Sequence, residues 1–146
     1  MLWRLLHWIS RVGLGAVFVY AGFVKVYPRR HQLAFAMDLS TYQLLPEWAV
    51  VLVAETLPWM EILLGLALWS GWKLRYFAAF TGLLLTAFIS VMLITYARGI
   101  EANCGCFGPG EAISPYTLAR DSLILAPALY LAISSWRQAG AAPAAS

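Results

Sequence analysis

The sequence predicts an all-α membrane protein, a bundle of four transmembrane helices. Three observations carry that expectation. Of the 146 residues, 62% are hydrophobic and only 12% are charged, against about 25% charged in a soluble domain. Apolar runs of roughly 20 residues recur, each able to cross a hydrocarbon layer about 30 Å thick as a helix. Charges and turn residues gather between those runs. The net charge of +3 comes from scattered basic residues with no basic run, so nucleic acid is excluded as a partner and membrane lipid takes its place.

The first span covers about residues 5–27, with an uncharged stretch from Val12 to Val24 between Arg11 and Lys25. Those two charges lie about 21 Å apart along a helix, less than the apolar thickness. At least one of them must snorkel or turn into the bundle. Gly13, Gly15, Ala16, Ala21 and Gly22 allow a second helix to approach closely. Arg4 and Arg11 precede the apolar run as in a signal peptide, but no small-residue cleavage site follows, so the segment is expected to remain as an anchor.

From Pro28 to Pro46 the chain is mixed, opening on Arg29, Arg30 and His31 and continuing through Leu33, Phe35, Met37 and Leu39. A short interfacial helix between helices 1 and 2 suits it. The second span, about 47–69, carries Glu55, Pro58 and Glu61, and the third, about 74–96, has no charge between Arg75 and Arg98. A loop from Ala97 to Ser114 follows, rich in turn residues at Gly99, Gly105, Gly108, Pro109 and Gly110. Ser114 and Pro115 mark an N-cap and a first helical position, so the fourth span runs over about 115–136, with Arg120 and Asp121 in its second turn. The four spans form one domain, 1–138, followed by a small-residue flexible tail, 139–146.

Four spans put both termini on one side. With the N-terminus inside, Arg4, Arg11, Lys73, Arg75 and Arg137 face the cytoplasm, whereas Lys25, Arg29, Arg30, Arg98 and Arg120 face outward. The positive-inside rule is tied. Cytoplasmic termini are preferred because a loop able to form a disulfide suits an oxidising compartment. Trp and Tyr near the span ends, Tyr42 among them, form an aromatic belt at the interfaces.

The chemistry centres on Cys104 and Cys106, the only cysteines, separated by Gly105 in a loop expected to be exposed. An extended chain places such residues roughly 6.6 to 7.2 Å apart, whereas a disulfide wants Cα atoms about 4.4 to 6.8 Å apart. Gly105 permits the tight turn that a bridge needs. A bridge so short is strained and easily reduced, which suits exchange through a mixed disulfide; a structural bridge is the alternative. No metal ligand set is assigned, because two thiolates with only His7 and His31 in the chain fall short of a four-ligand zinc site. Copper(I) tolerates two thiolates and stays open.

Glu55 and Glu61 lie inside an apolar helix, where a carboxylate must be paired, protonated or wet. Six residues set them about 120° apart around the helix, so they do not share one target unless Pro58 kinks the chain between them. Pairing of one of them with Lys25 or Arg120 would lock helices together. Lys25 and Arg120 should also lie near the cysteine loop, where a cation favours the thiolate, and Asp121 could neutralise Arg120 instead.

Several of these residues carry a family resemblance. Ala21-Gly22 with Lys25, Tyr42-Gln43-Leu44-Leu45-Pro46, Leu57-Pro58-Trp59-Met60-Glu61 with Gly65, Cys104-Gly105-Cys106-Phe107-Gly108 and Arg120 resemble the methylamine-utilisation MauE family of DoxX-like redox-associated membrane proteins. The resemblance implies a four-helix protein of the bacterial inner membrane that works with a periplasmic thioredoxin-like partner. It also implies a place in maturing a periplasmic, disulfide-rich dehydrogenase subunit, within a larger membrane or dehydrogenase-maturation complex. Carried over by position, Cys104 and Cys106 are the redox pair, and Lys25, Glu61 and Arg120 are buried polar support. With no second cysteine pair, electrons must leave through another protein or a bound quinone. A scaffold subunit with a structural disulfide, or a copper(I)-binding membrane protein, are the alternatives.

Overall fold

The computed structural model describes residues 1–107 and 110–141. It contains five helices: α1 (Leu2–Val26), α2 (Arg29–Thr41), α3 (Glu47–Ser70), α4 (Leu74–Ala97) and α5 (Pro115–Ala141). All but α2 are long and apolar enough to cross a bilayer, and the chain is a multi-pass membrane protein. Gly108 and Pro109, marked above as turn residues, lie outside the described residues. Of the stretch assigned to a tail, α5 takes in the part up to Ala141, and 142–146 lie outside the description.

Local sequence explains each boundary. Tyr27 is extended as the C-cap of α1 because it precedes Pro28, which disfavours the helical region for the residue before it. The 13 residues of α2 amount to about 20 Å, too short to span, so this is the interfacial helix expected between the first two spans. Gly71 ends α3 at φ 75° with its N–H on the Ala67 carbonyl, a left-handed cap that glycine adopts without strain. Ser114 caps α5 as expected: its Oγ accepts the Thr117 N–H at 3.3 Å while Thr117 Oγ1 accepts the Ser114 N–H at 2.8 Å.

Glycines set the tightest seam, between α1 and α3. A Cβ on Gly22 would lie 2.5 Å from the Pro58 carbonyl oxygen, and one on Gly65 would lie 2.6 Å from the Gly15 carbonyl oxygen. Backbones therefore touch directly, the mode of packing that works where lipid offers no hydrophobic drive between helices. At one end of this seam Arg11 donates to the Leu68 and Trp69 carbonyls at 3.0 and 2.6 Å, and Trp69 Nε1 donates to the Val12 carbonyl at 3.0 Å. Arg11 thus satisfies carbonyls that the end of α3 leaves open.

Helices α4 and α5 form the second pair, joined to the first through Leu14, Phe18, Leu64, Leu68, Ala78, Ala128 and Leu131. At the opposite end a second cluster, with Phe35, Leu39, Tyr42, Leu57, Met92 and Cys104, fills the space beneath the cysteine loop. Leu63, Leu83 and Leu123 point outward, as expected of a lipid-facing surface. Trp3, Trp8, Tyr27, Trp48, Trp69, Trp72, Tyr96, Tyr116 and Trp136 are exposed near helix ends, in keeping with a belt. Tyr42 departs from that expectation: it is buried, because its ring packs in the cluster under the loop.

Replacing Gly22 by Ala should destabilise the protein by about 1 to 3 kcal/mol, the usual range for overpacking. Gly13→Ala is the matched control, with nothing within 4 Å of the added Cβ, and should be neutral or stabilising by up to about 1 kcal/mol. Thermal unfolding of both variants in the same detergent checks the pair, and a Gly22→Ala protein as stable as Gly13→Ala would overturn the account of the seam.

Candidate thiol site

The loop after α4 is folded back on itself rather than held out in solvent. Asn103 and Ala112 form an antiparallel bridge, flanked by bonds from the Cys104 N–H to the Glu111 carbonyl at 2.6 Å and from the Ile113 N–H to the Ala102 carbonyl at 2.9 Å. The Tyr42 hydroxyl donates to the Asn103 and Cys104 carbonyls at 2.7 and 2.9 Å, and Asn103 Nδ2 donates to Asp38 Oδ1 at 3.0 Å. Cys104 is consequently 0% exposed and Cys106 half-buried. This corrects the expectation of an exposed cysteine loop, since α2 supplies a floor that sequence spacing does not reveal.

Gly105 makes the turn between the thiols at φ 68°, and an added Cβ would lie 3.0 Å from Phe35 Cδ2. Only glycine meets both demands. The turn brings the Cys106 N–H to 3.3 Å from Cys104 Sγ. Both thiols are free, and the two sulfurs and an Asp121 carboxylate oxygen lie within 4.8 Å of one another.

The two sulfurs have different surroundings. Cys104 Sγ faces the Cys106 N–H and Arg120 Nη2, the latter at 3.6 Å. Cys106 Sγ donates to Asp121 Oδ2 at 3.2 Å and lies 3.9 Å from Met92 Sδ. Hydrogen bonding from the Cys106 side chain, joined by its N–H and the Arg120 guanidinium, holds Cys104 below the usual thiol range against the opposing effect of burial. The Cys106 thiol is pushed up by holding the proton shared with Cys104, by burial, and by the charges of Cys104 and Asp121. Of the two, Cys104 is therefore the sulfur that ionises first, while Cys106 holds its proton.

Arg120 organises this asymmetry. Its Nη1 bonds Glu111 Oε1 at 2.6 Å and its Nε bonds Asp121 Oδ1 at 3.1 Å, while its Cζ sits 4.6 Å from the centre of the Phe107 ring. The local pairing with Asp121 and the approach to a cysteine, weighed above as alternatives, coexist. On the floor of the same region Lys25 Nζ bonds both carboxylate oxygens of Glu61 at 2.8 and 2.7 Å, with side chains 2% and 12% exposed. Glu55 is not with them: it is exposed in a groove with Arg29 and Gln32. A narrow cleft of about 40 Å³, walled by Ala21, Leu84, Phe88 and Ile124, has Lys25, Glu61, Cys106 and Asp121 along its lining.

The site thus gathers Cys104, Cys106, Arg120 and Asp121 at the loop, places Lys25 and Glu61 in the adjoining cleft, and leaves Glu55 out. It also includes Asp38, Tyr42, Asn103 and Glu111, which sequence reasoning did not assign. Tyr42 alone had a signal, as part of the motif ending at Pro46. Asp38 is raised above the usual carboxylate range by burial, partly offset by Asn103, and the Tyr42 hydroxyl is pushed up by burial and by the neighbouring Cys104 charge.

A family model described as methylamine utilisation protein MauE matches residues 3–134. No curated protein and no solved structure matches the chain.

Ultraviolet absorbance of the thiolate against pH should resolve two ionisations, the first below the value of about 8.5 for a free cysteine and the second above it. Arg120→Gln should move the first upward, because a cation leaves, and Asp121→Asn should move it downward, because an anion leaves. Shifts of the same sign in the two variants would overturn the charge assignment.

Proposed function

The chain belongs to the MauE family, and from that premise we propose that it exchanges thiols for disulfides with a periplasmic thioredoxin-like partner, through Cys104 and Cys106, in maturing a periplasmic protein of the methylamine-utilisation type. The observation that carries the reading is the unequal pair: a fully buried cysteine whose sulfur faces Arg120 beside a half-buried cysteine whose sulfur faces a carboxylate. That is the division of labour exchange needs.

In the oxidised protein a partner thiolate attacks Cys106 Sγ, on the less buried of the two residues. The bond between Cys106 and Cys104 breaks, and its electron pair leaves on Cys104 Sγ, where Arg120 and the Cys106 N–H receive the charge. A leaving thiol of lowered pKa departs faster. The partner's second thiolate then attacks the partner's own sulfur in the mixed disulfide, and Cys106 leaves as a thiolate, takes up the proton that the partner's second thiol gave up, and donates the resulting S–H to Asp121 Oδ2. The partner ends oxidised and the pair ends as two thiols; the reverse sequence reduces a partner.

A purely structural disulfide is the weaker reading. Tyr42, Asn103, Asp38 and the Arg120 to Glu111 bond hold the loop with both thiols free, so its shape does not depend on a bridge. For onward electron flow, a lipid-soluble quinone approaching along the apolar side chains beside Cys106 and a second protein of a larger membrane complex are the two routes.

The reading places the protein in the bacterial inner membrane with cytoplasmic termini and the cysteine loop in the periplasm. Two facts support that side. Lys25 and Arg120 are committed to Glu61, Glu111 and Asp121, which leaves Arg29, Arg30 and Arg98 outside against five basic residues inside. Arg11 keeps its place among the five, capping the end of α3 next to the loop that carries Lys73.

Cys104→Ser should trap a mixed disulfide between Cys106 and a periplasmic thioredoxin-like protein, because the sulfur that resolves the intermediate is gone. Cys106→Ser should trap little or none, its remaining thiol being buried. Non-reducing electrophoresis of both variants decides the matter, and no trapped species from either, in cells where a known exchanger is trapped, would sink the proposal.

A further inference from the structure

Met92 has no part in the exchange chemistry, yet its thioether lies at the thiol pair. Its Sδ is 3.9 Å from Cys106 Sγ, it is fully buried, and it packs in the cluster that holds Cys104. A thiolate-to-metal distance of about 2.3 Å in a trigonal planar site puts neighbouring sulfurs about 4.0 Å apart. One edge of that triangle, Met92 Sδ to Cys106 Sγ, matches this value, and the Cys104 and Cys106 sulfurs lie within 4.8 Å of each other. We propose that the reduced protein binds one copper(I) ion through Cys104 Sγ, Cys106 Sγ and Met92 Sδ.

The donor set selects the ion. Two thiolates and a thioether are soft ligands that favour copper(I) over zinc or the hard cations. Asp121 offers a harder oxygen at 3.2 Å from Cys106 Sγ, but its other oxygen is engaged by Arg120 Nε at 3.1 Å; it orients the Cys106 sulfur rather than completing a zinc site. Cys106 is half-buried whereas Met92 and Cys104 are sealed, so the ion enters past Cys106 and is then shielded from water. Binding displaces the protons of the thiol pair, so affinity falls as pH falls.

The site shares its two cysteines with the proposed exchange reaction but does not rest on that reaction. The test uses the full-length protein in detergent, reduced and free of oxygen, titrated with copper(I) against a chromophoric copper(I) chelator, with X-ray absorption of the loaded protein. One copper per chain with three sulfur neighbours is expected, and none on the disulfide form. Met92→Leu, close in volume and therefore well tolerated in a core, should leave two sulfur neighbours and weaken binding by at least about tenfold, the low end of what losing even an outer-shell partner costs a metal site. The Cys104→Ser trap, made in the Met92→Leu background, should be as strong as before. No stoichiometric copper, an unchanged affinity and sulfur count in Met92→Leu, or zinc binding in preference to copper would each overturn the site. Loss of copper with the trap intact removes this inference alone; loss of the trap with copper retained removes the exchange reading alone.

Discussion

The ion pair between Lys25 and Glu61 is the constraint around which the bundle is arranged. Its side chains are 2% and 12% exposed, inside a helix pair where either charge alone is very costly. Removing one partner of a buried pair typically costs about 3 to 5 kcal/mol, so α1 and α3 are bound to one register. The same register aligns Gly22 with Pro58 and Gly15 with Gly65. Glycine contact and charge pairing therefore reinforce each other, since both require the same register of α1 against α3. Lys25 also sits 5.3 Å from the centre of the Phe35 ring, and Phe35 supports the Gly105 turn. The pair thereby links the helix seam to the geometry of the thiols.

A second hub lies on the other side of the cleft. Arg120 binds a loop residue, Glu111, a helix residue, Asp121, and approaches Cys104. One planar, always charged side chain with several donors can hold three partners at once. Two carboxylates more than offset its single charge, so the contact with Arg120 favours ionisation of Cys104 against the opposing charge of Asp121.

Much of this architecture is legible in the sequence. Apolar length fixes the spans, Ser114 and Pro115 fix the start of α5, and helical arithmetic explains why Glu61 turns inward while Glu55, about 120° around the helix, faces out. The loop is different. Its fold depends on Tyr42, which meets it from 61 and 62 residues away, and on Phe35 and Asp38 of α2. Such pairings leave no periodic trace, and a tyrosine at a span end looks like a belt residue. Met92 is equally silent, being one apolar side chain in a span without charges. Only three-dimensional packing distinguishes it from its neighbours.

The unequal burial of the two sulfurs also bears on survival under oxidative stress. A peroxide meets Cys106, which is half-buried, and not Cys104, which is sealed. A sulfenic acid formed on Cys106 has a second sulfur within 4.8 Å, already supported as thiolate. Condensation to a disulfide, which is reversible, then competes with further oxidation to sulfinic and sulfonic acids, which is not. The geometry that holds the two sulfurs close together thus offers accidental oxidation a repairable end point.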